Sequence, residues 1–114
     1  MATSTELDVV RGTLDLLVLR ALSWGSMHGL AALRWIEDRT QGELQIEDGA
    51  LYPALHRLEQ KGWLESEWGY TDAGRRARFY QVTLAGRRHL AAELSRWERY
   101  TRAVSRVLEP EPAR

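Results

Sequence analysis

Two groups of side chains stand out for their residue types and spacing. Tyr52, His56, Arg57 and Gln60 share one side of a segment whose other side is Leu51, Leu55 and Leu58. At 3.6 residues per turn, this spacing makes a helix with one apolar and one polar face. Arg57 can donate to a phosphate or, with both nitrogens, to a guanine edge. Tyr52 can donate to a phosphate or pack on a sugar or a thymine methyl. Any surface helix has a polar face, so this feature alone does not separate a DNA reader from a solvated helix. The second group is Arg75, Arg76 and Arg78. It follows a turn-rich stretch from Gly69 to Gly74 and has no acid within it. Guanidinium groups at the tip of a hairpin suit a phosphate backbone or a minor groove.

Other chemistries find little support. His28, His56 and His89 are too scattered for a metal site, and there is no cysteine to supply thiolate ligands, disulfides or a thiol nucleophile. No serine sits in a G-x-S-x-G elbow, and no G-x-G-x-x-G or Walker A sequence occurs. The sequence therefore predicts no enzyme, no catalytic residue, no metal and no cofactor.

The 114 residues are 44% hydrophobic and 28% charged, ordinary values for one globular domain. No apolar run approaches the roughly 20 residues of a membrane span. The N-terminus lacks a signal-peptide pattern, so the expected location is the cytoplasm. Sixteen basic and sixteen acidic residues cancel, which at first argues against a polyanionic partner. The charges are unevenly placed, however. Residues 1–60 hold five arginines against nine acids, and residues 61–114 hold eleven basic residues against seven acids. Arg75, Arg76, Arg78, Arg87 and Arg88 lie between Asp72 and Glu93 with no acid among them.

The elements that must position these groups follow from periodicity. Leu7, Val10, Leu14, Leu17 and Ala21 form a 3-4-3-4 stripe, with Thr5 and Asp8 as a possible capping box. Gly12 weakens that helix, which then becomes regular only near Thr13. A second helix is expected from His28 to Thr40 with Leu30, Leu33 and Ile36 inward. Leu44 to Ile46 alternates as a short strand, and a third helix spans Asp48 to Lys61. Pro53 is tolerated only in or beside the first turn, where its missing N–H costs little. Trp63 to Trp68 and Arg78 to Val82 read as the strands of a hairpin with a loose tip. A final helix runs from Thr83 to Leu108.

In that last helix Leu90, Leu94, Trp97, Thr101, Val104 and Leu108 recur at 4-3-4-3-4 spacing, an a/d seam. The seam either meets a partner helix or packs back on the first helix, where Leu14, Leu17 and the small Ala21 offer a matching stripe. Both can hold in a two-fold dimer, which would present two third helices to half-sites about 34 Å apart. Trp97 is bulky for a tight seam. It is either a core anchor or, with Tyr100 one turn on, part of a looser interface with room for a planar ligand. Glu47 and Asp48 would repel phosphates at the start of the third helix. With the zero net charge, they keep open a dimeric winged-helix adaptor that binds protein and not DNA.

The segments Arg11 to Leu22, Met27-His28-Gly29, Gly49 to Trp68 and Gly74 to Leu90 together resemble the PadR family of transcriptional regulators, over about residues 8–108. The Leu51-Tyr52-Pro53-Ala54-Leu55 run and the Tyr80-x-x-Thr83-x-x-Gly86 step carry the likeness. The resemblance implies a dimeric winged-helix regulator, usually a repressor, that binds inverted repeats near promoters. It also implies, for some members, release by small aromatic compounds held between subunits. On this chain it places Tyr52, Pro53, His56 and Arg57 on the DNA-reading helix and Arg75, Arg76 and Arg78 on the wing. Trp97 falls on the dimerisation helix, where some members contact ligand. Two positions depart from the family: Ala50 stands where a hydroxyl residue is common, and Leu30 where a tyrosine is common.

The expected architecture is mainly α with a small β-hairpin, a winged helix-turn-helix plus a long C-terminal dimerisation helix. Residues 1–82 would form the DNA-binding part, 83–108 the dimerisation helix and 109–114 a disordered tail. The expected partners are double-stranded promoter DNA and a second copy of the chain, with a small aromatic effector as the resemblance implies for some members.

Overall fold

The computed structural model of the chain describes residues 7–8, 12–47 and 49–110. Its elements are β1 (Leu7–Asp8), α1 (Leu14–Leu22), β2 (Met27–His28), α2 (Gly29–Arg39), β3 (Leu44–Gln45), α3 (Leu51–Gln60), β4 (Leu64–Tyr70), β5 (Arg76–Val82) and α4 (Leu84–Leu108). This is a winged helix-turn-helix with a long last helix. Helix α1 is its hub: Val18, Leu19, Ala21 and Leu22 are at most 1% exposed, and the helix touches α2, α3, α4 and β5. Each buried leucine contributes about 2 kcal/mol of apolar burial. The stripe expected through Leu7 and Val10 is not continuous. Gly12 takes a φ of +95°, which stops the helix on its N-terminal side. Leu7–Asp8 instead pairs as a parallel strand with Leu44–Gln45. Thr5 and Val10 lie outside the described residues, so the proposed capping box has only Asp8 within them, in β1.

Helix α2 starts at His28, whose Nδ1 accepts the backbone N–H of Ala31 at 3.2 Å, satisfying one open donor of the first turn. Its buried stripe is Gly29, Ala32 and Ile36. Leu30, expected inward, is 42% exposed. The reason is close packing: the missing side chain at Gly29 lets Tyr52 and Leu55 of α3 approach to about 3.1 Å of where a Cβ would stand. Small residues, not the larger leucine, therefore face α3. Helix α3 carries Pro53 in its first turn as expected. It ends in a Schellman motif at Gly62 (φ +77°), with Trp63 N–H donating to Leu58 O and Gly62 N–H to Glu59 O, both at 3.0 Å.

Strands β4 and β5 pair antiparallel from Leu64↔Val82 to Tyr70↔Arg76. The hairpin is longer than its composition predicts, because Gly69-Tyr70 and Arg76-Ala77 continue the ladder. The turn is confined to residues 71–75, closed by Gly74 N–H to Thr71 O at 2.8 Å. The short β2 adds to β5 through Met27↔Tyr80 and His28↔Phe79, giving the order β2-β5-β4. Two residues are too few for an alternation pattern to reveal.

The start of α4 is fastened to the end of α3. Thr83 Oγ1 accepts from Gly86 N–H at 3.0 Å and donates to Gly62 O at 2.6 Å. Thr83 N–H donates to Trp63 O at 3.0 Å. Gly86 passes so close to this joint that a side chain there would strike the Trp63 carbonyl oxygen and Val82. The core closes with Leu90, and the partly buried Leu94 packs against it. The rest of the 25-residue helix extends away from the core. Residues 111–114 of the expected tail lie outside the described residues. Gly86→Ala should lower stability by about 1–3 kcal/mol through overpacking against backbone. Urea unfolding of the two forms measures this directly.

Candidate nucleic-acid interface

Burial of Leu51, Ala54, Leu55 and Leu58 fixes the rotation of α3. At 100° per residue, Pro53, His56 and Gln60 then point directly away from the core, and all three are exposed. Tyr52 and Arg57 lie on the two flanks. Tyr52 is 60% exposed and packs over Gly29. Arg57 turns toward α1, where its Nη2 meets Asp15 Oδ1 at 2.8 Å. Both partners are well exposed, 51% and 34%, so this pair contributes less than about 1 kcal/mol. Arg57 therefore starts from a weak hold on a protein carboxylate. Glu47, before the helix, is exposed; Asp48 lies outside the described residues.

The wing has two unlike faces. Side chains alternate along a strand and directly paired residues share a side. One face thus carries Leu64, Ser66, Trp68 and Tyr70 with Val82, Tyr80, Arg78 and Arg76. It begins in the core at Leu64, Tyr80 and Val82 and runs out to an aromatic and arginine end. The guanidinium of Arg76 lies 4.5 Å from the Trp68 ring centroid and that of Arg78 lies 5.5 Å from it. The other face carries Glu65, Glu67, Phe79 and Gln81, with Gln81 donating to Glu65 at 2.6 Å.

A polar chain ties the first face to α3. Arg78 Nε donates to Ser66 Oγ at 2.9 Å, and Ser66 Oγ donates to Glu59 Oε2 at 2.6 Å. Arg78 Nη2 is 3.6 Å from the same carboxylate. Arg75 is exposed at the tip. The structure thus brings the α3 and wing residues singled out in the sequence into one surface, with Arg57 set at its margin. Sequence reasoning missed Trp68, Tyr70, Ser66 and Glu59 as parts of this surface. Strand alternation holds the signal, but only the register shows which residues stand beside Arg76 and Arg78.

The seam residues are divided. Ala21 and Leu90 are 0% and 5% exposed within the subunit, so they have little surface left for a partner. Leu14, Leu17, Leu94, Thr101 and Val104 are half-buried. Trp97 and Leu108 are 41% and 75% exposed. Thr101 Oγ1 donates to Trp97 O at 3.0 Å, so its hydroxyl is satisfied within the helix. Trp97 and Tyr100 have ring centroids 6.2 Å apart. His28 caps α2, His56 is exposed on α3 and His89 stacks on Trp63 with centroids at 3.5 Å. Among the described residues no three His, Cys, Asp or Glu side chains group as metal ligands, and no helix is long and apolar enough to cross a membrane.

Residues 18–92 match the transcriptional regulator PadR-like family. The chain is similar to a transcriptional regulator of Mycobacterium tuberculosis, 34% identical over 95 residues, covering 82% of this chain and 84% of that protein. An uncharacterized protein of Lysinibacillus sphaericus is 28% identical over 102 residues, covering 90% and 94%. Among solved structures, a PadR family transcriptional regulator from Eggerthella lenta superposes with a TM-score of 0.74 at 33% identity, covering 89% and 86% of the two chains. A transcriptional regulator from Clostridium thermocellum superposes with a TM-score of 0.79 at 25% identity, covering 88% and 97%.

Beneath the wing, burial raises the pKa of the Tyr80 phenol above its ordinary 10.0; Arg78 opposes the shift, and Glu59 and Tyr52 add to it. The folded protein therefore keeps this proton to a higher pH than the unfolded chain does. Stability associated with it is fully present below about pH 10 and is lost as pH rises further. Tyr80→Phe should lose less stability than wild type as the pH rises above about 10, as measured by denaturant unfolding at a series of alkaline pH values.

Proposed function

The chain belongs to the PadR-like family of transcriptional regulators, and from that membership we propose that it is a homodimeric repressor of an inverted-repeat promoter site. The observation that carries this reading is the single surface made by the exposed side of α3 and the arginine face of the wing. Pro53, His56 and Gln60 enter the major groove, with Tyr52 and Arg57 at its edges. Arg75, Arg76 and Arg78 take the adjoining backbone or minor groove. Arg57 leaves Asp15 for a phosphate or a guanine edge, an exchange open to it because its exposed pair with Asp15 is weak.

Residues 1–82 are the DNA-binding part and 83–108 the dimerisation helix. The outer seam from Leu94 through Trp97, Thr101, Val104 and Leu108 meets its copy, with Leu14 and Leu17 at the margin. Ala21 and Leu90 support the seam from inside the subunit. A planar aromatic effector, where one exists, would lie against Trp97 and Tyr100. The protein is not an enzyme and acts in the cytoplasm.

Fluorescence anisotropy with a duplex carrying the repeat upstream of the gene tests this. Affinity should fall steeply with salt. Arg75→Ala with Arg76→Ala should weaken binding to every sequence and lower the log–log salt slope by about 0.9 for each phosphate no longer neutralised. Arg57→Ala should relax base preference. No complex at the lowest salt would favour the protein-binding adaptor. Val104→Asp, which leaves the subunit core untouched, should sediment as a monomer and bind the repeat far more weakly.

A further inference from the structure

We propose that Trp68 is a DNA-contacting residue: its indole, with Arg76 and Arg78 packed on it, docks on the sugar–phosphate backbone beside the α3 site. The inference rests on the DNA-binding reading above and adds to it which face of the wing meets DNA and what chemistry meets the sugars.

Trp68 is 56% exposed and Tyr70 on the same face is 72% exposed. Neither belongs to the buried core or to the side chains packed against it. A flat apolar surface thus stands at the outer end of a hairpin, flanked by Arg75, Arg76 and Arg78. A guanidinium lying over an aromatic ring uses its face for that contact and keeps its N–H donors in the plane, directed past the ring edge. Arg76, the closer of the two to the indole, presents its donors beside an apolar plate, while Arg78 is steadied by Ser66 and Glu59. A nucleic-acid backbone offers the complement, phosphate anions separated by apolar deoxyribose faces. Holding the two long side chains on the ring also reduces the freedom they lose on binding.

The opposite face cannot serve. Glu65 and Glu67 project there and would repel phosphates. The chain from Arg78 through Ser66 to Glu59 sets the hairpin's angle on α3, so the Trp68 face continues the exposed surface of that helix. Charge complementarity and continuity with the α3 surface both select duplex DNA as the occupant.

The test uses the full chain and the upstream repeat, with anisotropy at several salt concentrations and a thermal melt of each variant. Trp68→Ala should fold and bind roughly tenfold more weakly at fixed salt, while Trp68→Phe, which keeps a ring under the guanidinium groups, recovers most of the affinity. Glu67→Gln, on the other face, should bind as tightly as wild type or more so. Trp68→Ala binding like wild type would overturn the proposal. So would equal losses for the alanine and phenylalanine variants with matching drops in melting temperature, the mark of a hairpin support only. A loss in Glu67→Gln as large as in Trp68→Ala would overturn the assignment of the face. If wild type itself forms no complex, the DNA-binding reading fails and this proposal with it. If wild type binds and Trp68→Ala is unaffected, only this proposal fails.

Discussion

Leu51, Ala54, Leu55 and Leu58 of α3 lie in the core beside α1 and α2, and each is at most 4% exposed. That packing decides what the other side of α3 can present. With the stripe inward, the rotation of the helix is fixed, and Pro53, His56 and Gln60 must face out. Gly29 sharpens the fit by letting Tyr52 and Leu55 close on α2. The same packing brings Glu59 to the side where the wing leaves the core, so the hairpin is fastened to the helix it flanks. The Schellman turn at Gly62 and the Thr83 cap then fix the start of α4 at the C-terminal end of α3.

The balanced charge takes its meaning from this geometry. Sixteen acids and sixteen bases sum to nothing, but strand alternation sorts them on the wing into an arginine face and an acidic face. The ion pairs at the surface, Arg57 with Asp15 and Arg78 with Glu59, are solvent-accessible and weak in free energy. Their effect is on direction. One holds a guanidinium at the margin of α3, and the other aligns the wing. Such a surface offers a focused footprint for a polyanion without a general positive field, which favours a defined site over loose attachment.

The helices and the hairpin were legible in the sequence because each rests on a local period. The apolar stripe of α3, the break at Gly12 and the a/d recurrence in α4 all report backbone geometry directly. Period misleads where tertiary packing overrides it. Leu30 fits a helical stripe, yet close approach of α3 requires Gly29 and Ala32 at the interface, and the leucine turns outward. Ala21 reads as a site for a partner's close approach but is filled by the subunit's own core. The two-residue strands β1 and β2 are too short to carry a pattern. On the surface shared by α3 and the wing, the arginines were visible as a charge run. Trp68 and Tyr70 were not, because their place beside Arg76 and Arg78 depends on hairpin register.

Amide chemical-shift mapping of the protein with a duplex carrying the upstream repeat tests the central claim most directly, that DNA meets α3's exposed side and the arginine face of the wing. The account predicts the largest changes at Tyr52, His56 and Gln60 and along residues 68–78, with the α4 seam little affected. Changes centred on Glu65 and Glu67 or on the α4 seam, with α3 silent, would contradict it.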